Sequence, residues 1–314
     1  MLTSEVVIST AVDPRPPFIS GSVGAGLVIV PTFDSSITGD AINGSAIMAE
    51  INAAIAEYQV LFSDNITVNI TFQKGGGLGG SSSYVNSISY PTYRAALLAN
   101  STTSDDTTAL GTLPIQATSP VDGQANIWVT MANQRAIGLI GAPSGPDGII
   151  TLNTAIMNLN RITIDPLKYD LKSVTQHEID EVLGLGSGLN LPANFPRQSR
   201  PQDLFRYSAP GVRSYTLGFG GSFLSINGGG ANLAGFGDGA SGSDYGDWNS
   251  DSVRVNNAFG TPGAIPNLAT PELTNLDVIG YTPAVPEANS LAAVGVGALV
   301  LSGYTLIRRK RQSR

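Results

Sequence analysis

An α+β domain is what the sequence predicts, on three observations. Helical spacing and strand-like alternation both occur, but not in a regular strand–helix–strand rhythm. With 314 residues and 42% apolar content, the chain can bury a sizeable core. The 37 Gly and 19 Pro, against only 13% charged residues, indicate small residues and many loops.

Residues 1–23 read as an extension without a recognisable signal peptide. Met1 to Val12 has no basic residue, and Val6-Val7-Ile8 is too short for a leader's apolar core, so the start is read as misassigned or missing its leader. The body is expected over residues 24–282. Gly24 to Val30 is a short apolar strand, and Asp34-Ser35-Ser36 is a turn. A helix runs from Asp40 or Asn43 to about Phe62, with Ile47, Ile51, Ile55 and Val60 near helical spacing. Thr67 to Phe72 alternates Val68, Ile70 and Phe72 with polar residues, as a half-buried strand does. Gly75 to Gly80 lacks the Gly-Lys-Ser/Thr ending of a phosphate cradle and reads as a surface loop. Ser87 to Tyr90 is a strand and Thr92 to Ala99 a helix beginning near Pro91. Ala125 to Met131, Gly148 to Leu152 and Ala155 to Leu159 are further strands. The stretch from Gly218 to Asp251, rich in Gly, Asn, Ser and Asp, is loop with short strands.

Composition narrows the chemistry. Cysteine is absent, which excludes disulfides, thiol nucleophiles and Cys-based metal sites. The single histidine, His177, excludes sites that need two or three imidazoles. Five of the 17 basic residues lie in the last seven positions, and the remaining 12 stand against 23 acidic residues up to Pro283. So acidic a body excludes nucleic acid as a partner.

The segment Tyr169 to Leu185 is the most informative. Asp170 or Ser173 can cap a helix, Val174, Ile179, Val182 and Leu183 supply its apolar positions, and Gly184 or Gly186 ends it. His177 and Glu181 are four apart, so they project from one face as two ligands of one metal ion. Glu178 stands beside them as a general base. This run resembles the active-site helix of the metzincin metallopeptidases, His-Glu-x-x-His-x-x-Gly-x-x-His. The resemblance implies His177 as first ligand, Glu178 as base, Glu181 as second ligand, Gly184 as the turn glycine and Ser187 at the third-ligand position. Glu181 and Ser187 depart from the pattern.

The wider chain is similar to predicted bacterial metalloproteases that share His-Glu-Ile-x-Glu-Val, Asp203-Leu-Phe-Arg-Tyr207-Ser, Asp244-Tyr-Gly-Asp247-Trp248 and Leu276-Asp-Val-Ile-Gly-Tyr281. This implies a zincin-like catalytic domain with a mixed twisted sheet and an active-site helix, acting on peptide or protein substrates. Where metzincins turn beneath the metal with a Met, Leu276 to Ile279 would make an aliphatic floor.

A neutral hydroxyl such as Ser187 is a poor ligand, so Asp203 is the first candidate for the third position, with Asp244 and Asp247 as alternatives. Zn²⁺ is the expected ion by analogy, although one His and two carboxylates also suit Fe(II) or Mn(II). Gly235 to Asp247 could hold Ca²⁺ through carboxylates and carbonyls. Phe205, Tyr207 and Trp248 would line a cleft or pack in the core. A serine hydrolase finds no Gly-x-Ser-x-Gly elbow, and a glycosidase-like carboxylate pair cannot be located by spacing. The expected function is therefore a metallopeptidase with Glu178 as general base; the alternative is a non-catalytic surface or matrix protein on a degenerate version of the same fold.

Residues 283–314 stand apart. Val285-Pro286-Glu287-Ala288 precedes Leu291 to Ile307, seventeen residues without charge, and then Arg308-Arg309-Lys310-Arg311. Such a run reaches roughly 25 Å, the short end of a membrane span, with its basic flank in the cytoplasm. The arrangement resembles the PEP-CTERM sorting signal of Gram-negative bacteria, with Ala288 in place of the last Pro. It implies a transmembrane sorting helix, a membrane sortase of the exosortase kind as partner, and export to the envelope or exterior after transient inner-membrane anchoring. An ordinary C-terminal anchor is the plainer reading.

Overall fold

The computed structural model describes residues 26–191, 197–249 and 251–284, and the backbone of residues 2–8. In chain order the elements are β1 (Leu2–Ile8), β2 (Val28–Phe33), α1 (Ser35–Thr38), α2 (Gly44–Leu61), β3 (Thr67–Lys74), β4 (Gly79–Ser89), α3 (Tyr90–Asn100), α4 (Ser104–Gly111), β5 (Asn126–Thr130), α5 (Met131–Ala136), β6 (Gly148–Leu152), β7 (Met157–Asn158), β8 (Tyr169–Asp170) and α6 (Leu171–Leu183). Four short strands follow, β9 (Arg206–Ala209), β10 (Val212–Arg213), β11 (Phe223–Leu224) and β12 (Ala234–Gly235), and then α7 (Thr270–Val278). The chain divides into residues 1–282 and 283–314, and of the second unit only Pro283 and Ala284 are described.

The architecture is α+β with a mixed sheet in the order β1-β4-β6-β3-β2, and β5 pairs with the later half of β4. Strands β2, β3 and β6 run parallel, β4 runs antiparallel to β6, and β1 runs parallel to β4. Helix α6 packs against β4, β6, α2 and α7. The core between them gathers Ile47, Ile51, Ile55 and Tyr58 of α2, Val68, Ile70 and Phe72 of β3, and Ile179, Val182 and Leu183 of α6. Val60 points out at 75% exposure, because Tyr58 takes the inward position at the end of α2.

Strand β4 is the main local surprise. It begins inside the Gly-Ser tract expected to be surface loop and places Gly79, Ser81, Ser83 and Val85 inward in strict alternation. Its inward positions carry almost no apolar signal, so hydrophobic patterning misses it. The strand expected over Ala155 to Leu159 shrinks to β7 behind a 3₁₀ turn at Thr154–Ile156. Met131 starts α5 instead of ending β5, since the Thr130 side chain accepts from Asn133 N at 3.2 Å and caps a helix there.

The transmembrane sorting helix expected as part of this fold is corrected. Among the described residues no helix is long and apolar enough to cross a membrane. Even the 18-residue α2 carries Glu50 and Glu57. Residues 291–307, on which the expectation rested, lie outside the described residues.

Helix α7 docks on α4 and α6 and brings Asp277 against Thr103, whose hydroxyl donates to Asp277 Oδ2 at 2.9 Å. Burial, and then the neighbouring Asp106 carboxylate, push the Asp277 carboxyl up from 3.8 to about 7. A carboxyl that keeps its proton longer folded than unfolded loses stability as pH rises between those two values. The melting temperature of Asp277→Asn relative to wild type should therefore climb from about pH 4 to about pH 8. An equal difference at both ends would refute this account.

Candidate metal centre

Helix α6 is capped at its start by Asp170, whose Oδ2 accepts from Ser173 N at 2.9 Å, and it stops at Gly184. Gly184 has φ 133°, a conformation open to glycine and costly for other residues. Between these ends nearly every residue is buried, so the helix carries Ser173, Thr175, Gln176, His177, Glu178, Asp180 and Glu181 away from water. A buried polar group is costly unless partnered, which makes the partners worth tracing one by one.

Most are satisfied. The Thr175 hydroxyl donates to Leu171 O at 2.8 Å, and the Gln176 amide donates to Glu57. Asp180 shares the Tyr58 hydroxyl at 2.7 Å, and burial holds its carboxyl well above the usual carboxylate range. On the helix Gln176 Oε1 and Asp180 Oδ2 have no partner, nor do His177 Nε2 and both carboxylate oxygens of Glu178, and Oδ2 of Asp247 has none either. Of these, the atoms of His177, Glu178 and Asp247 belong to one group of side chains.

His177, Glu181 and Asp247 each present one ligand atom, all within 4.8 Å of one another. His177 Nε2 lies 3.9 Å from Glu181 Oε1 and 3.4 Å from Asp247 Oδ1. Val255 O stands 3.1 Å from His177 Nδ1, and a carbonyl can only accept, so Nδ1 carries the proton and Nε2 faces the two carboxylates. Ser81 Oγ donates to Glu181 Oε2 at 2.6 Å, which orients Glu181 with Oε1 toward the histidine. This buried group could hold a metal ion.

The charges agree with that. Burial disfavours the imidazolium of His177, but Asp247, Glu178 and Glu181 outweigh it and hold its pKa well above the ordinary value. Burial pushes Glu178 up to about 8 and Asp247 up to about 6, and holds Glu181 well above its usual range. Three acids thus face a single imidazole. A divalent cation would supply the missing positive charge, and the orphaned Nε2 is the atom it needs.

Asp203, expected as the third ligand, is spent elsewhere. Its Oδ1 accepts from Ser187 Oγ at 2.6 Å, and its Oδ2 accepts from Gly188 N and Arg200 N, each at 2.9 Å. The carboxylate therefore ties the exit of α6 to the segment after it, and Asp247 stands in the group instead. Asp244, the other alternative, caps its own turn by accepting from Gly246 N at 2.7 Å. Asp238 likewise accepts from Ala240 N at 2.8 Å, and among the described residues the segment that could hold Ca²⁺ gathers no group of three acids of its own.

Phe205, Tyr207 and Trp248 are buried in the core, and Trp248 Nε1 donates to Glu272 Oε1 at 2.9 Å. The Leu276–Tyr281 segment packs on the end of α6, where Tyr281 OH donates to Leu183 O at 2.7 Å. Ser81 and the Val255 carbonyl escape sequence reasoning altogether. Ser81 lies just past the tract read as loop, where no element was expected, and a carbonyl carries no residue signature.

No family model, curated protein or solved structure matches the chain.

Geometry orders the acids. Asp247→Ala should weaken Zn²⁺ binding, measured by titration of the metal-free protein, by more than about a hundredfold, whereas Asp203→Asn should keep one equivalent at wild-type affinity. Loss of metal from Asp203→Asn as complete as from Asp247→Ala would reverse the assignment.

Proposed function

We propose that the body of this protein is a metal-dependent peptidase, with His177, Glu181 and Asp247 holding a divalent transition-metal ion, Zn²⁺ by analogy, and Glu178 acting as general base. The observation that carries this reading is the state of Glu178. Its carboxylate is fully buried beside the ligand group, both oxygens lack a donor, and burial raises its pKa to about 8. A site that only stored an ion would have no use for a fourth, unpaired acid. A general base does, because proton transfer is most efficient when the base titrates near the working pH.

When bound, the ion supplies Lewis acidity toward a carbonyl oxygen and toward water. Glu178, next to His177 in sequence, would ionise more readily beside the ion's positive charge. Glu178 then accepts the proton of the attacking water at its carboxylate and returns it to the leaving amine. His177 keeps its Nδ1 proton on Val255 O throughout, and Ser81 keeps Glu181 in place. The choice of a peptide bond as target is supported by the resemblance of the His177 to Gly184 run to the metzincin helix.

A second reading has its own support. His177 and Glu178 are 0% exposed, Asp247 is 2% and Glu181 is 3%, so the group is closed to substrate in this conformation. A shallow cleft lined by Ser173, Val174 and Val255 holds only about 20 Å³, and neither Glu178 nor any of the three candidate ligands lines it. A closed centre of this kind suits an ion that braces the fold of a non-catalytic protein.

The two readings separate experimentally. With Zn²⁺ loaded, wild type should cleave members of a mixed peptide library, read by mass spectrometry, and a chelator should abolish this. Glu178→Gln should retain its Zn²⁺ while the cleavage rate falls by at least about a hundredfold. A fully loaded wild type that cleaves nothing, and whose melting temperature collapses on chelation, would replace the peptidase with the bracing ion.

A further inference from the structure

The motif around Asp203 to Ser208 was singled out in the sequence, yet it contributes no ligand. Its Arg206 is wholly buried, and its partners all lie on the segment that delivers Asp247. Arg206 Nη1 donates to Tyr245 O at 2.5 Å, and Nη2 donates to Gly237 O at 3.1 Å. Gly237 N in turn donates to Asp247 O at 2.8 Å. The guanidinium carbon sits 4.4 Å from the centre of the Phe236 ring, and Phe236 bridges to Trp248, the residue after Asp247. One guanidinium thus holds both arms of the hairpin-like segment 236–248 while stacked on its base.

Two neighbouring contacts complete the clamp. Gln202 Nε2 donates to Gly246 O at 2.6 Å, while Gln202 Oε1 accepts from Gly186 N just past α6. Gly246 itself lies so close to that exit that an added Cβ would come within 2.6 Å of Gly186 Cα. The residue before Asp247 is therefore fixed relative to the helix that carries the other two ligands. We infer that Arg206 is the positioning residue that sets Asp247 as the third ligand of the metal centre.

Energetics favour this over simple packing. Burying a guanidinium is expensive, and here its hydrogen bonds go to two carbonyls and to no carboxylate. A segment with so little regular structure must still hold a ligand oxygen to a fraction of an ångström, and groups behind the ligands do that work in metal sites. Lysine could not substitute, because a single ammonium cannot reach both carbonyls in the fork geometry. The inference rests on the metal-centre reading above.

The test uses the full chain and Zn²⁺ titration by calorimetry, with Co²⁺ absorption as a report on ligand geometry. Wild type should bind Zn²⁺. Arg206→Lys should weaken binding by about 10–100-fold and alter the Co²⁺ spectrum. Because this variant is also expected to be less stable, the same change is made in an Asp247→Ala background. There Arg206→Lys should cause no further loss of Zn²⁺ affinity, although it still lowers the melting temperature. Unchanged affinity in Arg206→Lys, or a further loss in the Asp247→Ala background, would overturn the positioning role while leaving the metal centre intact. A wild type that binds no Zn²⁺ would overturn both.

Discussion

The fold is organised by the need to keep a polar helix dry. Helix α6 takes seven polar side chains into the interior, and each needs a partner that water would otherwise have provided. Its surroundings read as a response to that demand. Tyr58 on α2 faces Asp180, serine hydroxyls replace apolar side chains on β4 opposite Glu181, and Val255 turns its carbonyl to the imidazole. Had β4 presented leucines in place of Ser81 and Ser83, the sheet face would be more apolar but the Glu181 carboxylate would lose its donor. A carboxylate so stranded is among the costliest defects a core can hold.

The same demand divides the acids into those that receive main-chain donors and those that do not. Asp170, Asp203 and Asp244 all receive main-chain donors, so their charges are absorbed by turns and helix ends. Glu178 receives no donor, and the free oxygen of Asp247 receives none either. Acids of the first kind stabilise the loops on which they sit. Acids of the second kind persist only where another ligand, such as a cation, completes their surroundings.

Much of this was legible in the residues. The alternation of β3 and the caps of α6 lie in local patterns, because Val68, Ile70 and Phe72 must face one way and Asp170 can bond Ser173 N without help from elsewhere. His177 and Glu181 follow from helical geometry alone. The third member of the group did not follow, since residue type alone does not distinguish Asp203, Asp244 and Asp247; Asp203 is taken by Ser187 and Gly188, which arrive from the exit of α6, and by Arg200 N, and Asp244 by Gly246 N of its own turn. Strand β4 was hidden for a related reason. Its inward Ser81 serves the Glu181 carboxylate and its inward Ser83 the Glu181 carbonyl, so the usual hydrophobic signature is missing there by necessity.

The separation of Glu181 from Asp247 along the chain has a thermodynamic side. An ion gripping both would close a loop of roughly 65 residues, and the chain-entropy treatment of cross-links puts the stabilisation from restricting the unfolded state at about 4 kcal/mol for such a loop. Cysteine is absent, so the protein has no covalent means of making such a link. The metal centre would then play the part of a reversible staple between the helical half of the body and its glycine-rich half, and metal supply would set how often the second half comes undone.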